Sequence, residues 1–170
     1  MIHLAEHIRD VEAHVIDSGN GLPDEVFYFV TRMTPMVNVD LLIQNQIGET
    51  LLAWRDDEYA GQGWHIPGGI IRYKETFEER IRKVSIDEIG INLKFNPEPI
   101  AINEMIVSHA NRGHFVSLLY QCQLNESFTP DNGELKPTDP GYLKWHTSFP
   151  DDMVKVHHVY HKYFQPNSLV

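Results

Sequence analysis

The sequence predicts an α/β (α+β) protein in which a mixed β-sheet is sandwiched between α-helices, within one domain over residues 1–170. Two observations point there. Segments of helical and strand periodicity interleave along the chain, with no internal repeat, low-complexity tract or linker between them. The composition, 42% hydrophobic and 22% charged over 170 residues, suits one sizeable core rather than a disordered or fibrous chain.

The elements follow in order. Leu4, Ile8, Val11 and Val15 recur at three- and four-residue spacing, so an amphipathic helix is expected within residues 1–20, before glycines and Pro23 break it. A short helix from Pro23 to about Thr31 carries Asp24 and Glu25 near its positive end. "MVNVDLLIQN" and "ETLLAWR" read as strands joined by the turn "QIGE", and "DDEYAGQG" reads as a polar loop. A helix is expected from roughly Lys74 to Ile89, stopped by Gly90. "PIAINEMIVSHA" and "HFVSLLYQCQL" form a hairpin about "NRG", followed by a long turn-rich loop and the short strand "YLKWH". A last helix is expected over "SFPDDMVKVHHVYHKYF", with Pro150 near its first turn.

Charge and cysteine content narrow the function. With 24 acidic against 14 basic residues the net charge is -10, which repels nucleic acid and anionic membranes. A small anionic substrate is compatible with that field only where cations or a metal line its site. Cys122 is the single cysteine, so neither an internal disulfide nor a cysteine zinc site is expected, and its strand setting suggests an inert buried thiol. No apolar run is long enough to span a bilayer, and Glu6, Asp10 and Glu12 do not suit a secretory signal; a cytoplasmic protein is expected.

The segment "GWHIPGGIIRYKETFEERIRKVSIDEIGI", Gly63 to Ile91, holds the chemistry. On a helix Val84 and Glu88 share a face that Asp87 borders, so both carboxylates can point beside the Gly68-Gly69 turn. Glycine permits close backbone approach there, and a carbonyl with carboxylate oxygens suits a hard cation such as magnesium. A soluble acidic helix behind a turn would satisfy the local composition equally well.

The complete spacing decides between them. Gly69, Glu75, Lys83, Asp87, Glu88, Gly90 and Ile91, preceded by "GWHIPG", closely resemble the signature of the Nudix hydrolases. The signature's Arg-Glu pair is Lys83-Val84 here, a loss shared with the GDP-mannose mannosyl hydrolase branch. The resemblance to that branch continues through "TRMTPMVNVDLLIQN", "GETLLAWR" and "VHHVYHKYF", leaving only the first helix outside it.

That resemblance implies a single Nudix domain and a set of site residues. Gly68, Asp87, Glu88 and Asp139 are the metal candidates, Asp139 by its place before Trp145. Arg55 corresponds to a diphosphate-binding arginine and Asp40 to an aspartate of the nucleotide site. Glu88, Asp139 and Arg55 are thus the catalytic candidates, and Asp40, Arg55 and Arg72 the substrate-binding ones. Arg72 or Lys74 is asked to replace an arginine lost at Ile70. The histidine base of the branch is Pro140 here, and proline takes no proton.

His109 and His114, flanking the hairpin turn, are alternative bases, although exposed turn histidines are commonplace. His157 and His161 stand four apart, a metal-binding spacing without a third ligand. Trp54 and Tyr59 could stack on a base or sugar, with core packing the default for a strand tryptophan. The expected activity is magnesium-dependent (or manganese-dependent) hydrolysis of a nucleoside diphosphate-linked molecule, a nucleotide sugar such as GDP-mannose. Attack at phosphorus and a non-catalytic nucleotide-sugar-binding module are the alternatives. A homodimer is the expected assembly.

Overall fold

The computed structural model describes residues 3–125 and 127–164. Helices α1 (Leu4–Glu12) and α2 (Asp24–Thr31) precede strands β1 (Met36–Gln44), β2 (Thr50–Asp57), β3 (Gly61–His65) and β4 (Gly68–Ile70). Helix α3 (Phe77–Val84) runs into a π-helical segment, Ser85–Ile89. Then come β5 (Lys94–Phe95), β6 (Ala101–Ile106), β7 (His114–Gln123), β8 (Leu143–His146) and a 3₁₀ helix, Lys155–Tyr163. The eight strands form one sheet. Its centre is the parallel pair β1 and β7, registered from Met36 opposite Phe115 to Gln44 opposite Gln123, and the other pairings are antiparallel.

Both faces of the central strands are covered, which is why "VDLLIQ" is apolar almost without alternation. Val39, Leu41 and Ile43 pack with Ile81, Val84 and Ile89 in one cluster. Leu42 and Leu52 pack with Trp54, Trp64, Tyr160 and Phe164 in another. The mixed sheet therefore lies between α3 on one side and the 3₁₀ helix on the other, as expected. Cys122 is fully buried, and burial pushes its thiol up to about 12, so it is inert at neutral pH.

Several boundaries differ from the expectation, each for a local reason. Lys74 has φ 62, a left-handed conformation that no helix contains, so α3 begins only after Thr76. Thr76 accepts from Glu79 N–H while Glu79 accepts from Thr76 N–H, a capping box that fixes this start. Gly90 closes the helical run with φ 85, as expected. The loop expected at "DDEYAGQG" is instead the turn of the β2–β3 hairpin.

The last helix starts at Lys155 rather than near Pro150, and is 3₁₀. The preceding backbone is occupied: Trp64 N–H donates to Asp152 O at 3.0 Å and Val154 N–H to Trp64 O at 2.9 Å. The first helix forms and stops at Glu12, but buries none of its residues; Leu4 is 70% exposed. Among the described residues no helix is long and apolar enough to cross a membrane.

His157, in the first turn of the 3₁₀ helix, docks that helix onto the sheet. Its buried Nδ1 accepts the Ile66 N–H at 3.0 Å, and burial, with Arg55 nearby, lowers the imidazole pKa to about 3. The unfolded chain binds this proton near the ordinary pKa of 6.5, well before the folded protein does. Stability from this group is therefore complete above pH 6.5 and lost as pH falls towards 3. Urea unfolding at pH 5 should show a loss of about 2 kcal/mol relative to pH 7 from His157. His157→Asn, which keeps an acceptor near the Nδ1 position, should remove that share of the pH dependence.

Candidate active site

A cleft of about 1110 Å³ opens where the ends of β1–β4, the π-helical segment, the β6–β7 turn and the loop before β8 converge. Its back wall depends on two glycines. A Cβ on Gly68 would stand 2.3 Å from Asp40 Oδ1 and 2.7 Å from Val39 O, so only glycine lets β4 pair with β1 here. A Cβ on Gly69 would meet Val84 Cγ2 at 2.9 Å and Arg80 Cδ at 3.1 Å, so glycine also lets α3 approach.

Behind this turn Asp40 is buried under three donors. Ser117 and Tyr160 hydroxyls donate to its Oδ2, and Asn38 Nδ2 donates to Oδ1 at 2.9 Å. Burial nevertheless raises its pKa above the ordinary value.

Glu88 projects from the π-helical segment into the cleft. Burial is the main cause that pushes its carboxyl up to about 7; Arg55 and a hydrogen bond from Gly68 N–H oppose it, and the Asp40 and Asp87 carboxylates add to it. A partly exposed carboxylate in the cleft beside the Gly68 backbone suits a hard cation. Facing it, His65 Nε2 lies 3.9 Å from Glu88 Oε2. His65 Nδ1 donates to Ala53 O at 2.9 Å, which leaves Nε2 as the lone-pair atom turned to the cleft. Burial, His157 and Arg55 lower the His65 pKa to about 3, so this imidazole is neutral at ordinary pH.

In the same cleft Arg55 Nε donates to Asp57, whose carboxylate also accepts from Tyr59 N–H and Ala60 N–H at 2.9 and 2.8 Å. Partial burial opposes ionisation of Asp57, but these donors outweigh it and hold the carboxyl below its ordinary value. Arg112 also lines the cleft, its guanidinium 4.4 Å from the Tyr59 ring centre.

The family model of the NUDIX domain matches residues 34–164, so it spans every one of these groups. The chain belongs to the Nudix hydrolase family. The low-salt glycan biosynthesis protein Agl8 of Haloferax volcanii is 24% identical over 132 residues, which are 74% of this chain and 84% of that protein. The MutT NUDIX hydrolase of Burkholderia pseudomallei shares the fold with a TM-score of 0.59 and 22% identity, over 77% of this chain and 96% of its own. The MutT protein of Methanosarcina mazei Go1 does so with a TM-score of 0.57 and 15% identity, over 77% and 94%.

Of the residues singled out from the sequence, this Nudix cleft brings together Asp40, Arg55, Gly68, Asp87 and Glu88. Asp87 stands at the rim, its carboxylate 3.1 Å from Lys83 Nζ in an exposed pair. Asp139 is not brought to the cleft. Its carboxylate accepts Lys136 N–H at 2.8 Å and its own N–H returns to Lys136 O, a closed turn that presents Pro140 to the cavity instead. Arg72 is also absent from the lining: its N–H serves Glu75, and its guanidinium lies against Gly21.

His109 is not a cleft residue, because its Nδ1 accepts from Asn111 and Arg112 N–H within the turn. His114 pairs with Glu104 at 3.4 Å on the exposed sheet surface. His157 and His161 do not converge: the one is buried against Ile66, and the other is exposed beside the Phe149 ring. Trp54 packs in the core and also lines the cleft, as does Tyr59.

The cleft residues not singled out from the sequence include His65, Asp57 and Arg112. His65 could be found by asking why a polar residue separates Trp64 from Ile66 just before the glycines; Arg112 is the cation of the hairpin turn.

Among the described residues no cluster of three or more His, Cys, Asp or Glu side chains forms a metal cage. One recessed carboxylate, one rim carboxylate and a close glycine backbone fit a single hard cation completed by water and substrate oxygens. Val84, where the signature usually carries glutamate, cannot add a ligand: it is 4% exposed and packed in the core against Gly69. Val84→Glu should lower the metal-free unfolding free energy by about 3 kcal/mol, the cost of an unpaired charge in that core. Urea titration of both proteins with chelator present measures it.

Proposed function

We propose that this Nudix hydrolase cleaves a nucleoside diphosphate linked to a sugar, such as GDP-mannose, using one magnesium ion that manganese can replace. The observation that carries the reading is the Glu88 carboxylate beside Gly68, with the Arg55 guanidinium in the same cleft and near enough to favour its ionised form. The relative named for glycan biosynthesis supports a sugar-linked substrate. One continuous sheet supports a single domain over the chain.

Glu88, the Gly68 backbone and Asp87 would hold the ion, which supplies positive charge to the diphosphate as it leaves. Arg55 binds the same diphosphate, and its pairing with Asp57 keeps the guanidinium oriented. His65 Nε2 accepts a hydrogen bond from water or a sugar hydroxyl at the cleft wall, and being neutral it leaves the local charge unchanged. Because Val84 withholds a second recessed carboxylate, charge stabilisation is concentrated on one leaving group. That arrangement suits attack by water at the anomeric carbon, releasing a nucleoside diphosphate and free sugar.

Turnover of nucleotide sugars with magnesium in oxygen-18 water distinguishes the routes. Label is expected in the sugar; label in phosphate would mean attack at phosphorus, and no turnover of any nucleotide sugar would mean a binding module. Glu88→Gln should lower kcat by about a hundredfold or more while preserving the fold, since burial already disfavours the charged form. Circular dichroism and a magnesium titration of that variant would check both halves.

A further inference from the structure

We propose that Arg112 is a second phosphate-contacting residue of the cleft, and that helix α2, which lies before the matched NUDIX domain, holds it in position. The inference rests on the substrate class proposed above. The β6–β7 turn that carries Arg112 is tightly specified. His109 Nδ1 accepts Asn111 N–H at 3.2 Å and Arg112 N–H at 3.0 Å, and Val107 N–H donates to Gly113 O at 2.8 Å. A Cβ on Gly113 would stand 2.7 Å from His109 O, so glycine is required. Arg32, at the end of α2, donates to Asn111 Oδ1 at 2.8 Å and ties the helix to the turn.

The guanidinium itself is surrounded by rings, its carbon 4.4 Å from the centre of Tyr59, 5.8 Å from Phe27 and 6.0 Å from Phe115. Tyr59 is held in turn by the Tyr28 hydroxyl and by the edge of His109, 5.2 Å between ring centres. Phe27 and Tyr28 both belong to α2. A cation packed on its faces by aromatic groups keeps only its edge for hydrogen bonds.

Arg112 Nε is buried and has no hydrogen-bond partner among the described residues, while the side chain lines the cleft. An arginine serving only as packing would leave that N–H unsatisfied at a cost of about 1–3 kcal/mol. A phosphate in the cleft would pair with the part of the guanidinium that lines it and so hold the charge in place. The position also answers a vacancy in the other wall: Ile70 follows the two glycines, and Arg72 is turned towards Gly21. Arg55 has part of its charge offset by Asp57; of the other lining cations, Arg112 and Lys155, it is Arg112 that lies near this pair.

The test is calorimetric binding of GDP, and separately of guanosine, to wild type and variants with magnesium present, alongside panels of ADP, UDP, CDP and dTDP. Arg112→Gln should weaken GDP binding about 10- to 100-fold, the effect of one charged hydrogen bond, and leave guanosine binding unchanged. Phe27→Leu, which loosens the ring clamp without entering the cleft, should weaken GDP binding severalfold in the same selective way. Arg112→Lys retains the charge and should lose less than Arg112→Gln, which keeps the comparison readable if the glutamine variant unfolds.

Equal weakening of GDP and guanosine, or no weakening of GDP by either Arg112 variant, would overturn the assignment of Arg112 alone. Failure of the wild type to bind any of the nucleoside diphosphates would overturn the substrate class, and this inference with it.

Discussion

The approach of Gly68 to Asp40 is the contact on which the rest of the site depends. With no Cβ in the way, β4 lies directly on β1, and Asp40 Oδ1 occupies the space that any other residue at position 68 would take. The same carboxylate accepts the Tyr160 hydroxyl from the 3₁₀ helix on the far face of the sheet. On the near face, Gly69 follows at once and admits Val84 and Arg80 of α3. One buried acid and two glycines thus set the separation of both covering layers from the sheet. Glu88 inherits its position from α3, and His157, which takes the Ile66 N–H, from the 3₁₀ helix.

The polar groups of the cleft are arranged so that few of them carry free charge. His65 and His157 are kept neutral by burial, Asp57 is matched to Arg55, and Asp87 to Lys83. Against a chain of net charge -10, such local pairing matters more than the overall field in deciding whether an anion can enter. The long-range field opposes it. What favours entry is short-range: the arginines that line the cleft, and a Glu88 carboxylate beside Gly68 that would hold a cation.

Contiguous sequence made part of this legible. Gly68, Gly69, Glu75, Asp87, Glu88 and Gly90 occupy one turn and the helix after it, so backbone geometry alone relates them. The Glu75 carboxylate, for instance, meets Arg80 at 2.8 Å within that short segment. Arg55 was legible only through the family resemblance of "GETLLAWR", and its strand runs on to Asp57. Residues on long or irregular connections were not. Asp139 has the expected spacing from Trp145, but Lys136 N–H captures it locally, and a self-closing turn has no signature in spacing. His65 and Arg112 depend on contacts across the fold: Ala53 O in the neighbouring strand selects the tautomer of one, and α2, more than 80 residues upstream by number, packs on the other. The late start of the last helix has the same origin, because Trp64 claims the backbone of Asp152 and Val154 first.

The π-helical segment shows why position along a helix is a weak guide to direction at this site. A regular α-helix through Ser85–Ile89 would keep the 3.6-residue period, whereas a π turn is wider and turns each side chain less. Here neighbouring residues differ in burial: Ile89 is buried in the core with Val84 and Leu93 at the base of the cleft, while Glu88 is partly exposed within it. The wide turn is clamped at both ends. The Ser85 hydroxyl donates to Ile91 O and accepts Leu93 N–H at 2.8 Å, and Gly90 supplies the left-handed residue that reverses the chain. Such turns are rare because their backbone geometry is poorer, so this one needs the surrounding contacts to persist. The buried Ser85 hydroxyl and the core contacts of Ile89 provide them, and their consequence is a carboxylate held beside Gly68 by the core rather than by a partner charge.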